Sequence, residues 1–421
     1  MDAVTRRRFL TWSGVTAAGA LAAGATRVDW SDLLRAARHD PLDPHAGVLV
    51  VVTLYGGNDG LNTVVPAADP AYRAARPELA YQPSEVLDLG EGLGLNPGLA
   101  GLKSLWDERS LAVVRGVGYP EPDHSHFRSM AIWQTASPST SVSTGWLGRW
   151  LDATGYDPLR AVSVEPVLPP LLAGERTAAA SLPAGGLTLP AGRLGTAFRS
   201  LGAAQPGEPE WQARAAGSIR DLHTASEVLG GHLPASGGRG AAHGGGAGAG
   251  KPGGGGRGGE LGTQLDTVAG LIEAGVPTRV YSVSLGGFDT HADERGTQQR
   301  LLTELDGALT PFVRRLNGTA RGRQAVVLVY SEFGRRVRAN ASQGTDHGTA
   351  APVFLLGSGV APGFHGAAPS LTELDDGDLK AGVDFRDVYA AVLSGVLGSD
   401  PGPVLGPTPG RLTGLLTTKV A

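Results

Sequence analysis

The chain has 421 residues, 36 Lys and Arg against 40 Asp and Glu, a formal net charge of -4 and no cysteine. The missing thiols exclude disulfides, iron–sulfur clusters, thiolate nucleophiles and cysteine–zinc sites, so any metal must be held by oxygen and imidazole ligands. The near-neutral balance, without a basic block, lacks the electrostatic footprint of a nucleic-acid-binding protein, and no nucleic acid is expected as a partner.

Residues 1–25 read as a twin-arginine signal peptide. Thr5-Arg6-Arg7-Arg8-Phe9-Leu10 carries the arginine motif, the stretch from Leu10 to Ala25 is mildly apolar, and Ala23-Gly24-Ala25 supplies a small-x-small cleavage site. That apolar run is too short and glycine-rich for a stable membrane span of about 20 residues. The expectation is export by the twin-arginine translocase to a periplasmic or extracellular location. Export in the folded state suits a protein loaded with a metal or cofactor beforehand.

The remainder, 26–421, reads as a single domain with a flexible Gly-rich insertion at about 236–259, too poor in apolar residues to offset its ordering entropy. Val48 to Tyr55, Arg279 to Leu285 and Ala325 to Tyr330 read as buried strands of a parallel sheet, with Val113 to Val117 and Val353 to Leu356 as shorter ones. Leu261, Leu265, Val268 and Ile272 form a helical stripe that ends at Gly275, and Leu301 to Leu316 and Phe385 to Leu397 read as further helices. Strands alternating with helices predict an α/β fold, an open, mostly parallel sheet with helices on both faces. In such sheets the site lies at the carboxyl ends of the strands.

The chemistry-bearing residues fall where that rule would put them. Gly56-Gly57-Asn58-Asp59-Gly60 follows the first strand, and Gly287-Phe288-Asp289-Thr290-His291 follows the strand at Arg279. Ser331-Glu332-Phe333-Gly334-Arg335 ends the strand at Ala325, and Thr345-Asp346-His347-Gly348 precedes the next. Asp59, Asp289, His291, Glu332, Asp346 and His347 are therefore candidate ligands for a divalent ion such as Zn, Mn, Mg or Ca. Each has a structural alternative: Asp59 in a glycine turn, Asp346 as a cap, Glu332 in a salt bridge with Arg335 or Arg336. A fifth segment, Asp123-His124-Ser125-His126-Phe127-Arg128-Ser129, opens a helix whose N-terminus could bind an anion, with Ser125, His126 and Arg128 as catalytic candidates. No Gly-x-Ser-x-Gly elbow, Walker loop, His-Glu-x-x-His or dinucleotide fingerprint is present.

These motifs, together with Thr144-Gly145-Trp146-Leu147-Gly148-Arg149, resemble an exported bacterial family catalogued as domain of unknown function 1501. That family is distantly similar to the alkaline phosphatase and sulfatase superfamily, which implies an alkaline phosphatase-like fold with one or two metals at the strand ends. Carried over, the first-strand aspartate is Asp59 and the aspartate–histidine pair is Asp289 and His291. The later ligands come from Glu332, Asp346 and His347. The sequence departs from the superfamily in the close spacing of Asp289 and His291, and in having Phe333 where a histidine would follow the later acid. The resulting expectation is a metal-dependent hydrolase of a phosphate or sulfate ester. A non-catalytic secreted protein binding a surface polymer or a partner through the Gly-rich loop, Trp146 and Trp150, and retaining at most a structural ion, is the alternative.

Overall fold

A computed structural model describes residues 30–155, 157, 159–165, 167–182, 259–410 and 412–417. The signal peptide and all but the last residue of the Gly-rich insertion lie outside these. Twelve strands occur among the described residues: β1 (Val48–Leu54), β2 (Val64–Val65), β3 (Leu87–Gly90), β4 (Leu93–Leu95), β5 (Leu111–Gly118), β6 (Ala161–Ser163), β7 (Ala180–Ser181), β8 (Val280–Leu285), β9 (Ala325–Ser331), β10 (Ala351–Leu356), β11 (Gly363–His365) and β12 (Val383–Asp384). The main sheet runs β11-β5-β10-β9-β1-β8-β6-β7, with β12 also on β5; β2, β4 and β3 form a small separate sheet.

Alternation of side chains across the central strands explains why both faces must be covered. Val48, Val50, Val52 and Leu54 point into one core, Leu49 and Val51 into the other, and β9 divides its residues in the same way. The helices Ala100–Asp107, Gly259–Ala274 and Glu294–Asn317 contribute to the first core, and His126–Thr135, Trp146–Thr154 and Phe385–Gly395 to the second. The predicted elements are all present: β5, β9, β10 and the helix Glu294–Asn317 run longer than expected, while β1, β8 and the helix Phe385–Gly395 stop or start one or two residues short. β10 departs from the parallel expectation, since it runs antiparallel to both β9 and β5. The 19 residues between β9 and β10 therefore leave and re-enter the sheet at the same edge.

Trp146 and Trp150 are buried. Trp146 stacks on Tyr389 at 4.3 Å, and Trp133 on Tyr330 at 4.9 Å. Neither Trp146 nor Trp150 offers a binding surface, which removes one of the two features that favoured polymer binding.

Beneath the sheet edge lies a second buried feature. Both oxygens of Asp59 are taken by Arg76, and Asp59 also accepts the N–H of Leu61 as the cap of a short turn of helix. Glu294 is fully buried, accepting the Thr345 hydroxyl through one oxygen and hydrogen-bonding the Asp59 carboxylate. Burial, with the Asp59 carboxylate beside it, pushes Glu294 up to about 9, so the pair carries one proton and Glu294 holds it. Although burial opposes its ionisation, Asp59 is held below the usual range by Arg76.

Two outcomes follow from this packing. Trp146→Ala should lower the unfolding free energy by about 3–5 kcal/mol in denaturant titrations, whereas a surface tryptophan would change it by less than about 0.5 kcal/mol. Glu294 binds its proton more tightly folded than unfolded, so its contribution is full below its ordinary 4.5 and is lost as pH rises toward about 9. Glu294→Gln keeps a neutral group there, and its melting temperature relative to the parent should rise between about pH 5 and about pH 9. A difference independent of pH would show that the buried carboxyl is not protonated.

Candidate metal centre

The site forms at one edge of the sheet, where β1, β5, β8 and β9 end and β10 begins. Asp289 and His291 come from the loop after β8, Glu332 from the end of β9, His347 from the loop before β10, and His126 from the first turn of the helix after β5. Close backbone approach makes this possible. A Cβ on Gly56 would lie 2.5 Å from the Asp289 nitrogen, and one on Gly344 would lie 2.2 Å from the His291 carbonyl carbon.

Three imidazoles converge on one carboxylate oxygen. The Nε2 atoms of His291, His347 and His126 stand 2.9, 3.2 and 3.3 Å from Asp289 Oδ1. Those of His291 and His347 are 2.9 Å apart. Each ring turns its other nitrogen outward to an oxygen. His126 Nδ1 donates to Glu332 Oε1 at 2.8 Å, His347 Nδ1 donates to the His124 carbonyl at 2.6 Å, and His291 Nδ1 faces Asp346 Oδ1 at 3.5 Å. Protons committed to those outer acceptors leave the inward Nε2 atoms as lone-pair donors. His126 Nε2 is buried without a hydrogen bond.

Electrostatics keep the donors in ligand form. Partial burial disfavours an ionised Asp289, yet the Arg335 guanidinium beside it holds its carboxyl well below the usual carboxylate range. Burial also lowers His347 below its ordinary value, favouring the neutral ring. Phe333 lays its ring at 4.9 Å from both His126 and His347. It is a wall of the site rather than a ligand.

The predicted residues thus divide. Asp289, His291 and His347 come together, and His126, read from sequence as a catalytic group, joins them. Glu332 is an outer partner: its oxygens are taken by His126, the Gly56 N–H and the Ser331 hydroxyl, and not by Arg335 or Arg336. Asp346 is also an outer partner, shared with Asn340. Asp59 is a correction to the sequence reading, because Arg76 occupies both its oxygens and it does not reach the imidazoles. Ser125 is exposed and caps the helix by backbone conformation without a side-chain bond. Arg128 is half-buried, with no side-chain hydrogen bond among the described residues. Arg335 escaped the sequence reading as an organiser of the site; an arginine inside a Ser-Glu-Phe-Gly-Arg run carries no signal that it turns back under its own loop.

Two solved structures align with most of the chain. One is a protein in the alkaline phosphatase superfamily from Vibrio parahaemolyticus, at 10% identity and a TM-score of 0.40, covering 92% of this chain and 79% of that one. The other comes from the versatile core genetic locus by which Bacteroides thetaiotaomicron metabolises multiple glycosaminoglycans, at 11% identity and a TM-score of 0.35, covering 87% and 74%. No curated protein matches the chain. No helix among the described residues is long and apolar enough to cross a membrane. Residues 259–420, which supply β8 to β12 and with them Asp289, His291, Glu332 and His347, match the model of the family described as "Protein of unknown function (DUF1501)".

Proposed function

We propose that the protein is an exported, metal-dependent hydrolase of a phosphate or sulfate ester. The observation that carries this reading is the orientation of the three imidazoles. With the Nδ1 protons of His126 and His347 engaged outward, their inward nitrogens present lone pairs toward one another and toward an anionic carboxylate oxygen, at 3.2 and 3.3 Å from it. Such an array repels itself unless a cation stands among the donors. His126, Asp289 and His347, supported by His291, would hold that cation, and an imidazole-rich set suits Zn or Mn better than Mg or Ca.

When bound, the ion polarises an ester oxygen and lowers the pKa of a nucleophile. The chain's own groups do the rest. Helix His126–Thr135 points its N-terminus at the site, where exposed backbone N–H groups favour an anion, and Arg128 has its guanidinium free to clamp one. The Ser125 hydroxyl, at the N-cap and without a side-chain bond, would be the nucleophile: its oxygen would form the new bond to phosphorus or sulfur as the bond to the alcohol breaks, and its proton would pass by way of solvent to the departing alcohol oxygen. Water then releases the inorganic anion and regenerates the hydroxyl. Glu332 and the His124 carbonyl keep the rings in register throughout.

Elemental analysis of the exported, folded protein should find about one equivalent of metal, absent from Asp289→Ala/His347→Ala. Because burial holds His347 below its ordinary 6.5, the metal should be retained at pH 6.5 and lost only on further acidification. Arg128→Ala should keep the metal while reducing hydrolysis of phosphate or sulfate monoesters by about 10²-fold. Metal-free parent protein, or undiminished hydrolysis in the double variant, would sink the reading.

A further inference from the structure

Two hydrogen bonds at the centre involve the segment that carries His126: His126 Nδ1 donates to Glu332, and His347 Nδ1 donates to the His124 carbonyl at 2.6 Å. A further one lies just outside the centre, where His124 Nε2 donates to Asp378 Oδ2 at 2.8 Å. His124 is thereby held at both ends, its ring by Asp378 and its carbonyl by His347. The side chain of His124 is 43% exposed, so packing against neighbours does little to fix it. Its place depends on the carboxylate.

Asp378 is built as a fixed point. It is 3% exposed and lies in the loop between β11 and β12. Its Oδ1 faces Arg336 Nε at 3.7 Å, so the carboxylate stands between an imidazole from the segment after β5 and a guanidinium from the segment after β9. Asp375 and Asp378 exchange backbone hydrogen bonds at 2.8 and 2.9 Å, and the Leu379 carbonyl accepts the Thr349 hydroxyl at 2.6 Å. Thr349 follows His347 by two positions, which fastens the loop to the same excursion that brings His347. A carboxylate taken from water is costly unless partners hold it, and here the partners come from the segments that supply His126 and His347.

A neutral imidazole has two tautomers, and the form of His347 protonated at Nδ1 is the one that leaves Nε2 as a lone-pair donor toward the centre. Which form prevails is decided by the acceptor standing at Nδ1, the His124 carbonyl. We infer that Asp378 is a positioning residue of the centre: through the His124 ring it holds the carbonyl that sets the tautomer and orientation of His347. Releasing that ring frees the carbonyl to swing away and loosens His126, two positions further on, in the same movement. The inference rests on the metal-centre reading, since a metal is what the oriented nitrogen would serve.

Two readouts test this on the full folded chain. Competition with a chromophoric chelator measures zinc affinity, and long-range proton–nitrogen correlation spectra of the metal-free protein at about pH 8, where imidazoles are neutral, read the tautomer of His347. The parent should show the form protonated at Nδ1. Asp378→Ala should weaken zinc binding at least about tenfold and give a mixture of tautomers, a change that a merely structural ion pair would not cause. His124→Ala, which keeps the backbone carbonyl and removes only an exposed ring, should reproduce both effects and keeps the test available if Asp378→Ala does not fold. Combining the two variants should cost less than about a further twofold, because they break one relay. Asp376→Asn, whose side chain is 95% exposed, should leave both readouts at parental values. The inference is overturned if the parent lacks the Nδ1-protonated form, if tautomer and zinc affinity are unchanged in Asp378→Ala and His124→Ala, or if the two losses simply add. A parent that binds no zinc overturns the metal reading, and the tautomer comparison in the metal-free protein still decides the role of Asp378.

Discussion

The Arg335 guanidinium is 1% exposed and donates to five acceptors at once. They are the carbonyls of Gly56, Gly57, Phe288 and Thr345 and the carboxylate of Asp289, at 2.5 to 3.0 Å. The carbonyls belong to the loops that follow β1 and β8 and to the loop that precedes β10, while Arg335 itself follows β9. One side chain thus ties together every segment of the site except the helix that bears His126. Four of its acceptors are neutral, so Asp289 alone balances the buried charge, and the same contact that joins the loops fixes Asp289 as an anion facing the imidazoles. Lysine could not replace it, since a single ammonium has three donors and no planar fork.

The fold brings that arginine and its partners to one edge by a simple device. The carboxyl ends of parallel strands collect loops, as open α/β sheets do generally. The antiparallel β10 adds one more, returning the chain to the edge it has just left. Glu332 and His347 therefore arrive on a single excursion, where a parallel strand would have carried the chain to the far side. The Asp59, Arg76 and Glu294 network then supports the edge from beneath, with Thr345 bridging Glu294 below and Arg335 above through its hydroxyl and its carbonyl.

Much of this was legible in the sequence, and the parts that were not have identifiable causes. Continuous apolar runs such as Val48 to Leu54 announce buried strands, and polar residues placed just after them announce the site. Asp289, His291 and His347, which the structure brings together, all fall in such places. Spacing says nothing of which neighbour a carboxylate will prefer, and so Asp59 looked like a ligand although Arg76, seventeen positions away, claims it. The same limit hid the split between ligands and their orienting partners: Glu332 and Asp346 carry the right atoms but turn them to the outer nitrogens of the rings. The reversal of β10 left no mark either, because a short apolar strand reads identically in both directions.

Strand order also bears on where the chain can be divided. Within the main sheet, β5 lies between β11 and β10, and β1 lies between β9 and β8, so the strands of residues 259–420 touch one another directly only at β9 and β10. The recognisable family segment is consequently not an autonomous folding unit. Expressed alone it would leave two gaps in its sheet, each exposing unpaired strand edges that invite association between chains. The pairings that fill those gaps span more than 200 residues, so the sheet and the site at its edge can close only once nearly the whole chain is available.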